Sequence, residues 1–112
     1  MNNKDIHLDL LRKLEAKPEY TQRKLSQEMG VSLGKINYCM KKLTKKGWVK
    51  LTNFSLNPNK VGYMYLLTPK GIEQKARLTV VFLKIKMAEY EMLKEEIIKL
   101  KQDAEKLKSL QK

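Results

Sequence analysis

Apolar residues recur along this chain at two spacings, and the switches between them mark its elements. From Asp5 to Ala16, residues Ile6, Leu10, Leu11 and Leu14 fall on one helical face. Lys17-Pro18 ends that segment, because the residue before a proline disfavours the helical region. A second helix is predicted over Gln22–Met29, with Thr21 as N-cap and Gly30 as a left-handed C-terminal residue. Ser32 then caps a third helix, from Leu33 to about Lys46. Tyr20 with Leu25, and Val31 with Ile36, stand at the two positions of a hydrophobic staple for these helices. In the third helix Ile36, Cys39, Met40 and Leu43 share one side, while Gly34, Asn37, Tyr38, Lys41 and Lys45 share the other. Two short helices joined by a tight glycine-containing turn form a helix-turn-helix pattern.

The period then changes to two. "WVKLTN" and "YMYLL" alternate and predict strands, and "FSLNPNKVG" between them is rich in turn residues. A hairpin placed after a helix-turn-helix is the wing of a winged helix. Thr68 and Pro69 then supply an N-cap and a first helical residue, and no proline follows. Gly71 falls in the first turn of this helix, where its cost is expected to be small. A helix of about 40 residues is roughly 60 Å long, too long to pack wholly on so small a domain. The expected fold is therefore mainly α with a small β-hairpin. A winged helix-turn-helix spans 1–68, and a long C-terminal dimerisation helix spans 69–112.

From Leu83 the last helix approaches a heptad. Leu83, Tyr90, Ile97 and Ala104 take the a positions; Leu93, Leu100 and Leu107 take d, with Lys86 an imperfect d at the start. Glu89, Glu96 and Asp103 stand at g, and Lys94, Lys101 and Lys108 at e. In a parallel homodimer each g faces the next e of the partner, so all three pairs are opposite in sign. An antiparallel pair sets like against like. Leu78, Val81, Phe82 and Ile85 precede the good seam and are expected to pack near the winged domain.

Charge gives this architecture a partner. The 112 residues carry a net charge of +12. Residues 1–68 hold 13 Lys/Arg against 5 Asp/Glu, and no acid stands between Glu28 and Glu73, where there are eight lysines. A basic block that coincides with a helix-turn-helix points to a polyanion. One cysteine, Cys39, permits no intrachain disulfide and reads as a small buried hydrophobe rather than a redox sensor. His7 is the single histidine, so no zinc cluster is expected, and no cofactor is. Trp48 reads as a core residue. There is no phosphate loop or catalytic constellation, so an enzyme is not expected. No signal peptide or membrane span is visible, and a cytoplasmic location is expected.

The segments "SLGKINYC", "KGWVK", "YLLTPKGI" and "KARLTVVFLKIKMAEYE" resemble the MarR-family winged-helix regulators, in particular the small ones associated with bacterial exopolysaccharide (EPS) loci. The resemblance runs from Leu10 to about Ile97. It implies a DNA-binding transcriptional regulator, and it is the only basis for a link to exopolysaccharide genes.

In a winged helix the second helix of the motif enters the major groove, its N-terminal residues at the base edges. Mapped here, Ser32, Leu33, Gly34, Lys35, Asn37, Tyr38 and Lys41 face DNA. Asn37 is suited to bidentate pairing with adenine. Lys42 and Lys45, with Lys46, are placed to bind phosphate. Thr21, Gln22 and Arg23 open the preceding helix, whose N-terminus favours phosphate. Asn57, Asn59 and Lys60 are expected at the wing tip, near the minor groove or backbone. The expected partners are double-stranded DNA, at a palindromic operator with half-sites roughly 34 Å or a multiple apart, and a second copy of the chain. The same charge also suits a non-specific or architectural nucleic-acid binder, and the heptad also suits a protein-interaction module. No small-molecule effector is readable.

Overall fold

The computed structural model describes residues 3–57 and 60–111, with side chains described at 5–53 and 62–111. The element order is α1 (Asn3–Ala16), α2 (Gln22–Met29), α3 (Leu33–Lys45), β1 (Val49–Asn57), β2 (Lys60–Leu67) and α4 (Pro69–Leu110). The chain divides into two compact units, 1–79 and 80–112.

In the first unit the helix starts follow from local chemistry. The Thr21 hydroxyl accepts the Lys24 N–H at 3.1 Å, and the Ser32 hydroxyl accepts the Lys35 N–H at 3.2 Å. Each cap satisfies an N–H that the helix cannot bond internally. Gly30 closes α2 at φ 64°, a left-handed conformation that a β-carbon disfavours. The apolar face of each helix meets the others in one core. Ile6, Leu10, Leu11 and Leu14 come from α1, Leu25 from α2, Ile36, Cys39, Met40 and Leu43 from α3, and Val49 from β1. Tyr20 and Val31, the outer members of the two staples, pack against it, as do Trp48, Tyr65, Leu67 and Leu78. Full burial of side chains this size contributes about 1.5–3 kcal/mol each before entropy is counted.

The hairpin is longer than its sequence suggests. β1 and β2 are antiparallel, with Val49 opposite Leu67, Leu51 opposite Tyr65 and Phe54 opposite Gly62, and an irregularity between Phe54 and Asn57. Most of "FSLNPNKVG" is therefore strand and not turn. Pairing of Phe54 with Gly62 and of Asn57 with Lys60 extends the ladder, and it offsets the weak β-propensity of Asn and Gly. The C-terminal half of β2 is also tied to the α1–α2 linker: the Tyr65 N–H donates to the Pro18 carbonyl at 3.2 Å.

α4 contributes residues 69–79 to the first unit, where Leu78 reaches the core and Lys75 pairs with Glu15 at 2.8 Å. The second unit is the remainder of α4. Its apolar residues are exposed on the single chain, Leu83, Tyr90, Leu93, Ile97, Leu100 and Leu107 among them, and so are Val81 and Ile85. Within it, Lys86 pairs with Glu89 at 3.2 Å. No helix among the described residues is long and apolar enough to cross a membrane.

Candidate nucleic-acid interface

The core that holds α3 also sets which of its side chains face outward. With Ile36, Cys39, Met40 and Leu43 buried, Leu33, Gly34, Tyr38 and Lys41 lie exposed and Lys35 and Asn37 half-buried. Leu33 keeps 42% and Tyr38 48% of its surface open, so both side chains are available on the outward face of α3. The α3 lysines divide into two rows around this strip.

On one side, Lys35 and Lys42 approach the Tyr38 ring, 5.6 and 5.1 Å from its centroid, and Lys46 lies 4.7 Å from the centroid of Trp48. These contacts hold ammonium groups over ring faces that attract them. The field of this row reaches α1. Burial first, then Lys46, Lys42 and Lys35, hold the His7 imidazole below its ordinary value.

On the other side, Lys41 and Lys45 line a groove of about 420 Å³ between α3, the start of α2 and the hairpin. Gln22, Asn37, Met40, Thr44, Leu51 and Tyr65 complete its lining. A hydrogen-bonded chain crosses it. The Asn37 Nδ2 donates to Gln22 Oε1 at 3.1 Å, and Gln22 Nε2 donates to the Tyr65 hydroxyl at 3.1 Å. Asn37 retains one amide N–H and its Oδ1, a donor beside an acceptor, the pairing that N7 and N6 of adenine require.

Thr21 and Arg23 lie exposed at the start of α2, with the Thr21 oxygen already engaged as the cap. Lys42 and Lys45 are exposed in the last turns of α3. The structure thus brings Gln22, Asn37, Lys41 and Lys45 together in one groove, with Ser32, Leu33, Gly34, Lys35, Tyr38 and Lys42 on the adjoining surface of α3. Asn57, Asn59 and Lys60 lie outside the described side chains. Leu51 and Tyr65 join the groove without any mark in the sequence. Nothing in "YMYLL" distinguishes a groove-lining tyrosine from one that only packs.

Residues 4–50, from α1 into β1, match the family model for winged helix-turn-helix DNA-binding domains. No curated protein matches the sequence. Among solved structures, a transcriptional regulator homologue from Pyrococcus horikoshii OT3 is 13% identical, with 75% of this chain and 82% of that one covered at a TM-score of 0.57. The PcaV transcriptional regulator from Streptomyces coelicolor, solved with its natural ligand, is 21% identical, with 88% and 73% covered at a TM-score of 0.50. At these identities the likeness is one of fold: a winged helix-turn-helix with a long C-terminal helix.

Proposed function

We propose that this chain is a transcriptional regulator that binds double-stranded DNA sequence-specifically as a parallel homodimer. One observation carries the reading. The outward face of α3 presents an asparagine amide and exposed Leu33 and Tyr38 between two lysine rows, in a stretch without a single acid. Lysines anchor phosphates and position the helix, while an amide and apolar groups at its start discriminate base edges. The match of residues 4–50 to a DNA-binding family model supports the same partner.

The dimer rests on α4. Leu83, Tyr90, Leu93, Ile97, Leu100, Ala104 and Leu107 form a seam that is exposed on the single chain, and the e and g charges suit a parallel partner. A two-fold dimer implies a palindromic operator. The resemblance of the quoted segments to exopolysaccharide-associated regulators makes such genes the first targets to examine, and such a regulator works in the cytoplasm.

The test is selection of bound sequences from random double-stranded DNA by the purified protein, followed by titration of selected and random duplexes at physiological salt. Enrichment of one palindrome, bound at least a thousandfold more tightly, is expected. Equal affinity for both duplexes refutes the reading and leaves a non-specific binder. Light scattering before and after deletion of Leu93–Lys112 tests the dimer, and a dimer that persists refutes the seam.

A further inference from the structure

The half-buried chain Asn37–Gln22–Tyr65 joins the proposed reading helix to the hairpin, and its hydrogens can be counted. An amide side chain that turns through 180° exchanges its donor and its acceptor. If Gln22 and Asn37 both turn, Gln22 donates to Asn37 and must accept at its other end. A tyrosine hydroxyl suits either arrangement, because it has one proton to give and lone pairs to receive. The chain therefore has two self-consistent polarities, and the hydroxyl proton of Tyr65 selects between them. In the structure Tyr65 accepts from Gln22 and Asn37 donates.

Tyr65 is well placed to hold that end still. Its ring packs against the core, its N–H is bonded to Pro18 and it lies opposite Leu51 in the hairpin. Its hydroxyl shares the groove with Lys41 and Lys45, whose ammonium groups attract a phosphate. A phosphate oxygen seated there can only accept, so the Tyr65 hydroxyl donates its hydrogen bond to it. Tyr65 is then left to accept from Gln22, which presents Oε1 to Asn37. Asn37 must donate to it, which fixes the order of Oδ1 and the remaining N–H at the base edge. The opposite order mismatches adenine.

We infer that Tyr65 is a positioning residue for base recognition: a DNA phosphate in the α3–hairpin groove sets, through Gln22, the polarity of the Asn37 amide. The inference rests on the sequence-specific reading above and adds to it that backbone contact and base discrimination are coupled across the hairpin.

Tyr65→Phe keeps the ring and removes the hydroxyl. The measurement is the ratio of affinities for the selected duplex and for the same duplex changed at the base pair that Asn37→Ala identifies. Tyr65→Phe is expected to lower this ratio about threefold to tenfold, and to have no further effect on it in an Asn37→Ala background. Unliganded protein supplies a second readout: exchange of the Asn37 side-chain amide protons with solvent, followed by NMR, is expected to quicken in Tyr65→Phe. An unchanged ratio, an equal loss of affinity for both duplexes, or the same drop in the Asn37→Ala background overturns the coupling while leaving the regulator intact. Wild-type protein that discriminates at no base pair overturns the regulator and the coupling together.

Discussion

A β-carbon placed on Gly71 would stand 1.9 Å from the carbonyl oxygen of Trp48 and 2.9 Å from its carbonyl carbon. The first turn of α4 thus lies directly against the α3–β1 connection. The same carbonyl accepts the Thr68 N–H at 3.0 Å, and the Thr68 hydroxyl donates to Gly47. Gly71 is therefore required by close backbone approach, where its position in the sequence suggested only a tolerable glycine. Gly71→Ala is expected to destabilise the chain by about 1–3 kcal/mol, because a backbone carbonyl cannot turn aside as a side chain can. Gly34, which has nothing within 4 Å of its β-carbon position, is the control. Gly34→Ala is expected to be neutral or stabilising by up to about 1 kcal/mol. Urea midpoints of the two variants decide the matter, and equal midpoints contradict the close approach.

His7 is expected to make stability depend on pH. It is buried, its Nε2 has no partner among the described residues, and burial with Lys46, Lys42 and Lys35 lowers it from 6.5. Because the folded value lies below the unfolded one, the unfolded chain binds more protons in the interval between them. Stability then rises with pH there. It is expected to be complete above 6.5 and to fall as the pH drops below that, by at most about 1.4 kcal/mol per pH unit. Urea melts of wild type and His7→Leu between pH 5 and 7.5 test this. The variant curve should be flatter, and two parallel curves exclude His7 as the cause.

Cys39 is fully buried, and burial raises its thiol against the smaller opposing pull of Lys35 and Lys42. A protonated, enclosed thiol reacts slowly. Iodoacetamide at pH 7.5 is expected to modify the folded protein at least tenfold more slowly than the urea-unfolded chain, as followed by intact mass. Comparable rates point to an accessible thiolate.

Asn37→Ala and Lys45→Ala are expected to separate discrimination from anchoring. The first lowers the preference for the selected duplex by about 1–3 kcal/mol at one base pair. The second weakens all duplexes alike and reduces the slope of log affinity against log salt by about 1. Titration at several salt concentrations measures both. Interchanged effects mean that the roles of the two residues are interchanged.

The opposite charges along the α4 seam are expected to choose orientation more than strength, since exposed pairs are worth about 0.2–1 kcal/mol each. Glu96→Lys should weaken self-association, and Lys101→Glu in the same chain should restore it, because g and e meet across a parallel pair. Sedimentation equilibrium of the three proteins reads this directly. A double variant weaker than the single one excludes the g-to-e pairing.

The helix boundaries were legible because what determines them is local. A hydroxyl at Thr21 or Ser32 reaches an amide three residues on, and Gly30 relieves a strain set by its own backbone. The apolar stripe of α3 also follows from spacing alone, and with it the side of the helix that carries Asn37, Tyr38 and the lysines. The hairpin ran longer than the turn residues of "FSLNPNKVG" suggest, because strand pairing depends on the partner strand as well as on the residue. What only the tertiary structure decided lies at long separation. Gln22 meets Asn37 across 15 positions and Tyr65 across 43, and Gly71 meets a Trp48 carbonyl that no pattern in its own helix announces. Sequence by itself thus determined the elements, the charged face and the amide at its centre. Packing decided which groups that amide is bonded to, because hydrogen bonds and steric contacts act between neighbours in space.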